Sequence, residues 1–83
     1  MSELTDELLA RQLLANGQAR IVREAAGCSR AALARAVGVA ESAVVRWELG
    51  DRSPRGANVA RYGAVLRELA EHAQAQAALR VPS

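Results

Sequence analysis

Arginine is the residue type in this sequence with the clearest capacity for chemistry. The chain has eleven arginines and no lysine, against nine acidic residues. Nine of the arginines lie between residues 11 and 61, where only four acidic residues oppose them. A guanidinium group donates two parallel hydrogen bonds to phosphate oxygens or to a guanine edge. This concentration of positive charge indicates a surface for a polyanion, although arginines that merely solvate helix faces give the same charge distribution.

Other kinds of chemistry have little support in the sequence. The single histidine, His72, lies in an alanine-rich stretch with no motif that supplies a catalytic partner. Cys28 is the single cysteine, which excludes an internal disulfide and a cysteine-based zinc site. A small, buried apolar role for Cys28 is favoured over a redox role. We therefore expect a protein of 83 residues that is not an enzyme and has no catalytic residue, metal or cofactor.

The stretch from Cys28 to Gly50 predicts two short helices joined by a tight turn. Ser29 is a suitable N-cap for the first helix, and Gly38 suits the left-handed residue that ends it. Apolar residues recur at helical spacing on one face of each helix, namely Leu33, Ala34, Val37, Val44 and Trp47. This spacing is typical of the helix-turn-helix, whose second helix enters the major groove of DNA.

The same stretch resembles the Cro/repressor-type helix-turn-helix family over roughly residues 17–70. The matching residues are Ser29, Leu33, Ala34, Gly38, Val39, Val44, Trp47, Glu48, Gly50 and Pro54. The resemblance implies an all-α fold, a compact bundle of about five helices similar to the DNA-binding domain of lambda repressor. The chain also resembles short single-domain regulators of actinobacteria and their phages.

The remaining sequence predicts helices on both sides of this motif within a single domain, residues 1–83. Residues 1–16 form the N-terminal helix segment, in which Thr5 can cap a helix, and Asn16-Gly17 separates it from a helix near residues 18–26. Its leucines surround the helix, so they either cross the core or form a subunit contact. The helix-turn-helix spans residues 29–50, and a C-terminal helix spans residues 56–80.

Candidate base contacts lie on and beside the second helix of the motif. Ser42, Val45 and Arg46 share its outer face, where Arg46 suits the O6 and N7 of guanine and Val45 suits a thymine methyl. Glu41 is a further candidate for a cytosine amino group, although an acidic residue favoured by the helix dipole is the simpler interpretation. The resemblance adds Arg30, which stands where many relatives have a glutamine that reaches DNA.

Candidate phosphate contacts are Arg20, Arg52, Ser53 and Arg55. In the family, the loop that contains the last three runs beside the DNA backbone, and a solvated loop is the alternative. Arg23 is assigned differently, because relatives pair an arginine at this position with the glutamate that matches Glu48. A structural ion pair between Arg23 and Glu48 is therefore favoured over a phosphate contact.

The predicted function is sequence-specific binding of a double-stranded DNA operator by a transcriptional regulator of Cro-like or phage repressor type. A homodimer is expected, because one such module buries little surface on DNA. We expect no membrane contact, no small-molecule ligand and a cytoplasmic, nucleoid-associated location, in the host if a phage encodes it. The alternative is a protein-interaction module on the same fold, either antitoxin-like or binding a host factor, with little or no specific DNA binding.

Overall fold

The computed structural model describes residues 3–79, and the regular structure in that range is entirely helical. The five helices are α1 (Glu3–Ala15), α2 (Gln18–Ala25), α3 (Arg30–Val37), α4 (Glu41–Leu49) and α5 (Ala57–Leu79). The prediction of an all-α bundle of about five helices is confirmed. Residues 1–2 and residue 80, which were included in the predicted terminal helices, lie outside the described range.

The turn between α3 and α4 is determined by local chemistry. The Ser29 hydroxyl accepts a hydrogen bond from the Ala32 N–H at 3.0 Å, which caps α3. Gly38 ends α3 with φ of 89°, and its N–H donates to the Ala34 carbonyl at 2.8 Å. A left-handed residue there redirects the chain at once, and only two residues separate it from α4.

The core lies where α2, α3, α4 and α5 meet. Its buried members are Ala19, Leu33, Ala34, Val37, Val44, Trp47, Tyr62 and Leu66. The rings of Trp47 and Tyr62 lie 5.0 Å apart at 44°, a tilted arrangement within the preferred range for aromatic pairs. Because Val44 and Trp47 anchor α4 from beneath, its opposite face is held towards solvent in a fixed orientation.

Helix α1 packs closely along α5, through contacts that local sequence patterns do not indicate. Gly63 lies so near α1 that a Cβ atom there would overlap the backbone carbonyl of Asp6. Asp6 is itself buried and forms an ion pair with Arg67. The expectation that Thr5 caps this helix is wrong, because α1 already begins at Glu3 and Thr5 lies inside it. The carboxylate of Asp6 therefore joins two helices.

Candidate nucleic-acid interface

An open groove of about 650 Å³ runs between α4 and the loop that follows it. Its walls include two predicted base contacts, Ser42 and Arg46, from the exposed side of α4. The facing wall contains three predicted phosphate contacts, Arg52, Ser53 and Arg55. Five of the nine predicted DNA contacts therefore lie around one depression, which we call the α4 groove.

The loop keeps its position beside α4 through backbone hydrogen bonds. Gly50 has a φ of 77°, so the chain reverses there in a conformation that costs a side-chain-bearing residue energy. The N–H groups of Asp51 and Arg52 then donate to the Arg46 carbonyl at 2.9 and 3.3 Å. The backbone of Arg52 is thus tied to the last turn of the helix that carries Arg46.

The guanidinium groups of the α4 groove are not engaged by the protein itself. Arg46, Arg52 and Arg55 are exposed, and none of them forms an ion pair with any residue in the described range 3–79. Asp51 is the acidic residue that lines the groove with them. Three guanidinium groups and one carboxylate give the groove a net positive charge, which attracts a polyanion. A polyanion that binds there breaks no ion pair of these three arginines within residues 3–79.

A second group of charges lies behind α4 and is almost completely buried. The side chains of Arg23 and Glu48 are 7% and 3% exposed. Arg23 donates from Nε to Glu48 Oε2 at 2.6 Å and from Nη2 to Glu48 Oε1 at 3.1 Å. Its third group, Nη1, donates to the Cys28 carbonyl at 2.9 Å. The hydrogen bonds to Glu48 raise the pKa of Arg23 above its usual value, so this guanidinium stays charged.

Arg30 connects this buried pair to the surface. Its Nε lies 3.1 Å from Glu48 Oε1, while its side chain remains 43% exposed. One carboxylate therefore receives two guanidinium groups, from α2 and from the first residue of α3. Arg30, predicted as a base contact, does not line the α4 groove. Its Nη groups have no partner among residues 3–79 and stay available to an anion.

The other predicted contacts also lie apart from the α4 groove. Arg20 forms an exposed pair with Glu24 at 3.3 Å, one turn along α2. Glu41 is exposed as the first residue of α4, where a negative charge suits the helix dipole. Val45 is half-buried and is not part of the groove lining.

Two polar residues of the α4 groove were not singled out from the sequence. Asn58, in the first turn of α5, presents an amide at the end of the groove formed by the loop. Asp51 adds a carboxylate among the arginines. Neither belongs to a recognisable periodicity, since Asp51 begins the loop after α4 and Asn58 follows that loop in α5.

Tyr62 is the one polar side chain of the core without a partner in the described part of the chain. Its hydroxyl is buried and makes no hydrogen bond to residues 3–79. Burial is the main cause that raises the pKa of Tyr62, and the negative charge of Glu48 adds to the effect. The neutral phenol is therefore strongly favoured in the folded protein.

Comparison with known proteins identifies one family. The sequence model of a family described as "Helix-turn-helix" matches residues 20–71, which is more than half of the chain. Searches of curated proteins and of solved structures give no significant match. Within residues 3–79, no helix combines the length and apolar character that crossing a bilayer requires. The matched segment contains the whole α4 groove and the buried Arg23–Glu48 pair.

Proposed function

Because this chain belongs to the Cro/repressor-type helix-turn-helix family, we propose that it binds a specific DNA operator and regulates transcription as a Cro-like or phage repressor-type protein. Membership in the family makes it a DNA-binding transcription regulator in general terms. The operator specificity and the subtype are the proposal. Its main support is the α4 groove, where predicted base contacts and predicted phosphate contacts lie together and the guanidinium groups form no ion pair with residues 3–79.

The two walls of the α4 groove suit two parts of one recognition event. Arg46, on the exposed side of α4, forks onto a guanine edge when the helix lies in the major groove, and Ser42 donates to or accepts from a neighbouring base. Arg52, Ser53 and Arg55 on the loop bind phosphate oxygens, which fixes the position of the helix along the duplex. Glu41, Val45, Arg30 and Arg20 are proposed as supplementary contacts outside the groove.

The Arg23–Glu48 pair has a structural part in this mechanism. It ties α2 to the last turn of α4 and, through Arg30, ties both to the start of α3. A carboxylate that is already saturated by two arginines presents little free negative charge to the phosphates of DNA. We propose that Glu48 thereby stabilises the orientation of α4 without repelling the duplex.

The test of this function begins with selection of bound sequences from a pool of randomised duplexes, followed by sequencing. We expect one enriched motif with guanine at a position that Arg46 specifies. The enriched duplex should then bind more tightly than a shuffled duplex in an anisotropy titration at about 150 mM salt. Arg35→Ala is the control variant, and it should bind the enriched duplex as the wild type does. Arg35 is exposed on the last turn of α3 and does not line the groove. Equal binding of the two duplexes would overturn the proposal.

We also propose that the protein acts as a homodimer on a near-palindromic operator. One module of this size buries only about 600–1,000 Å² on DNA, and two modules one helical turn apart are the usual remedy. The end of α5 is a candidate contact, because Leu79 is exposed at its tip. Light scattering of the free protein and of its complex with the selected duplex measures the stoichiometry, and one copy per duplex in the complex would contradict this part.

A protein-interaction module remains the second candidate, and an exposed apolar surface favours it. Leu4, Leu8 and Ile21 are 64%, 58% and 55% exposed on α1 and α2. Two leucines four residues apart on one helix face suit a protein partner better than DNA. Replacing both Leu4 and Leu8 by serine distinguishes the two functions. DNA binding by a single module depends on the α4 groove and should survive that change, whereas binding of a protein partner through these leucines should be lost.

A further inference from the structure

A second depression lies beside the α4 groove and is lined in part by the same loop. It has a volume of about 340 Å³, and Arg11 of α1 lines it together with Arg52 and Ser53. Its apolar lining includes Leu14, Trp47 and Pro54. The residues Trp47, Gly50, Arg52, Ser53 and Pro54 line this depression and the α4 groove alike, so the two form one continuous surface across the loop.

Arg11 is available to an external anion. Its side chain is 60% exposed, and its one partner within residues 3–79 is Glu7, one turn earlier on the same helix, at 2.9 Å. An exposed pair of this kind contributes little free energy, so a phosphate competes for the guanidinium at low cost.

We propose that Arg11 and Arg52 bind neighbouring phosphate groups of the DNA backbone, so that α1 extends the contact beyond the helix-turn-helix. The inference rests on the proposed function. A duplex that seats α4 in its major groove carries its backbone past the loop, and Arg11 lines one depression together with Arg52 and Ser53 of that loop. Residue 11 lies outside the matched segment 20–71, so membership in the family does not assign it this role.

The test measures binding of a random-sequence duplex by fluorescence anisotropy over a series of salt concentrations. Each phosphate neutralised by the protein contributes about 0.9 to the slope of log K against log salt. We expect Arg11→Gln to lower the steepness of that slope by about 0.9 and to weaken binding several-fold at low salt. A wild-type slope for Arg11→Gln overturns the inference.

Two control variants separate this contact from more general effects. Arg61→Gln removes the same charge from an exposed position on α5 that lines neither depression. Glu7→Gln breaks the same ion pair but keeps the positive charge of Arg11. We expect a wild-type slope for both. If either control lowers the salt slope as much as Arg11→Gln does, the effect comes from net charge or from the broken ion pair, and the inference is overturned.

A final arm distinguishes the source of the phosphate group. The protein without DNA is titrated with inorganic phosphate while the fluorescence of Trp47, which lines the depression, is followed. We expect no saturable change. A saturable change that disappears in Arg11→Gln identifies a free anion as the occupant and overturns the DNA contact. If wild-type protein binds no duplex at any salt concentration, the proposed function fails, whereas binding with an unaltered Arg11→Gln slope contradicts this inference alone.

Discussion

Arginine has two opposite settings on the two sides of α4. Behind the helix, Arg23 is buried and all three of its donor groups are used by Glu48 and the Cys28 carbonyl. In front of it, Arg46 and Arg52 are exposed and have no ion-pair partner in the described residues. The difference indicates that a guanidinium is structural where its hydrogen bonds are satisfied within the protein, and is available for binding where they are not.

The largest expected effect is on folding, at the buried pair. Glu48→Ala leaves the Arg23 guanidinium buried without its carboxylate, and we expect it to lower the free energy of unfolding by about 3–5 kcal/mol. Arg23→Ala should lower the free energy of unfolding by less than Glu48→Ala does, because Arg30 continues to neutralise Glu48. Urea titrations followed by circular dichroism measure both losses. Arg46→Ala should stay within about 0.5 kcal/mol of wild type, and a comparable loss for Arg46→Ala would remove the distinction between the two settings.

The next effect is on recognition, at the front of α4. Arg46→Ala should weaken binding to the selected operator by about 1–3 kcal/mol and relax the preference for guanine at one position, because a fork to O6 and N7 is lost. Repeating the duplex selection with the variant measures the preference directly. An unchanged motif would show that Arg46 reads no base.

A smaller effect concerns Tyr62, a polar group on the buried side that is not paired. Tyr62→Phe removes a hydroxyl that has no partner within residues 3–79, and we expect the free energy of unfolding to rise by about 1–2 kcal/mol. A thermal or urea comparison at neutral pH measures the gain. A loss of stability instead would show that the hydroxyl has a stabilising partner in solution.

The same tyrosine predicts a pH dependence. Its pKa is raised on folding from a usual value of 10.0, so above about pH 10 the unfolded chain loses the phenol proton before the folded one does. The unfolded state then binds fewer protons, and stability falls with rising pH by up to about 1.4 kcal/mol per unit. Below pH 10 this loss of stability is absent, and Tyr62→Phe should not show it at any pH.

The smallest effect is expected at the loop. Arg52→Ala should weaken binding to all duplexes alike, by a few-fold, and reduce the salt slope by about 0.9, because a phosphate contact has no sequence preference. Anisotropy titrations with the selected and the shuffled duplex give the comparison. If Arg52→Ala affected one duplex far more than the other, the division between base and phosphate contacts would be wrong.

Local features of this fold were predictable because local chemistry determines them. Ser29 and Gly38 indicated the ends of α3, and the structure has both in the expected conformations. Asn16-Gly17 indicated the break between α1 and α2, where Gly17 has a φ of 68°. The pairing of Arg23 with Glu48 was suggested by resemblance to a family, since residues 25 positions apart carry no local signal of contact.

Features that depend on how helices dock were not predictable. The close approach of α1 to α5 at Gly63, and the ion pair of Asp6 with Arg67, require an orientation that no periodicity specifies. Helical spacing also placed Val45 with Ser42 and Arg46, but the loop covers one side of α4 and forms the groove there. Which side it covers depends on the turn at Gly50 and on the anchoring of Trp47.

The contrast between the two settings of arginine is tested most directly by the side-chain Nε–Hε signals of arginine in an NMR titration with the selected duplex. We predict large shifts for Arg46, Arg52 and Arg55, and an unchanged signal for Arg23, which stays bonded to Glu48. Shifts concentrated at Arg35 and Arg61, with the three arginines of the α4 groove unaffected, would contradict it.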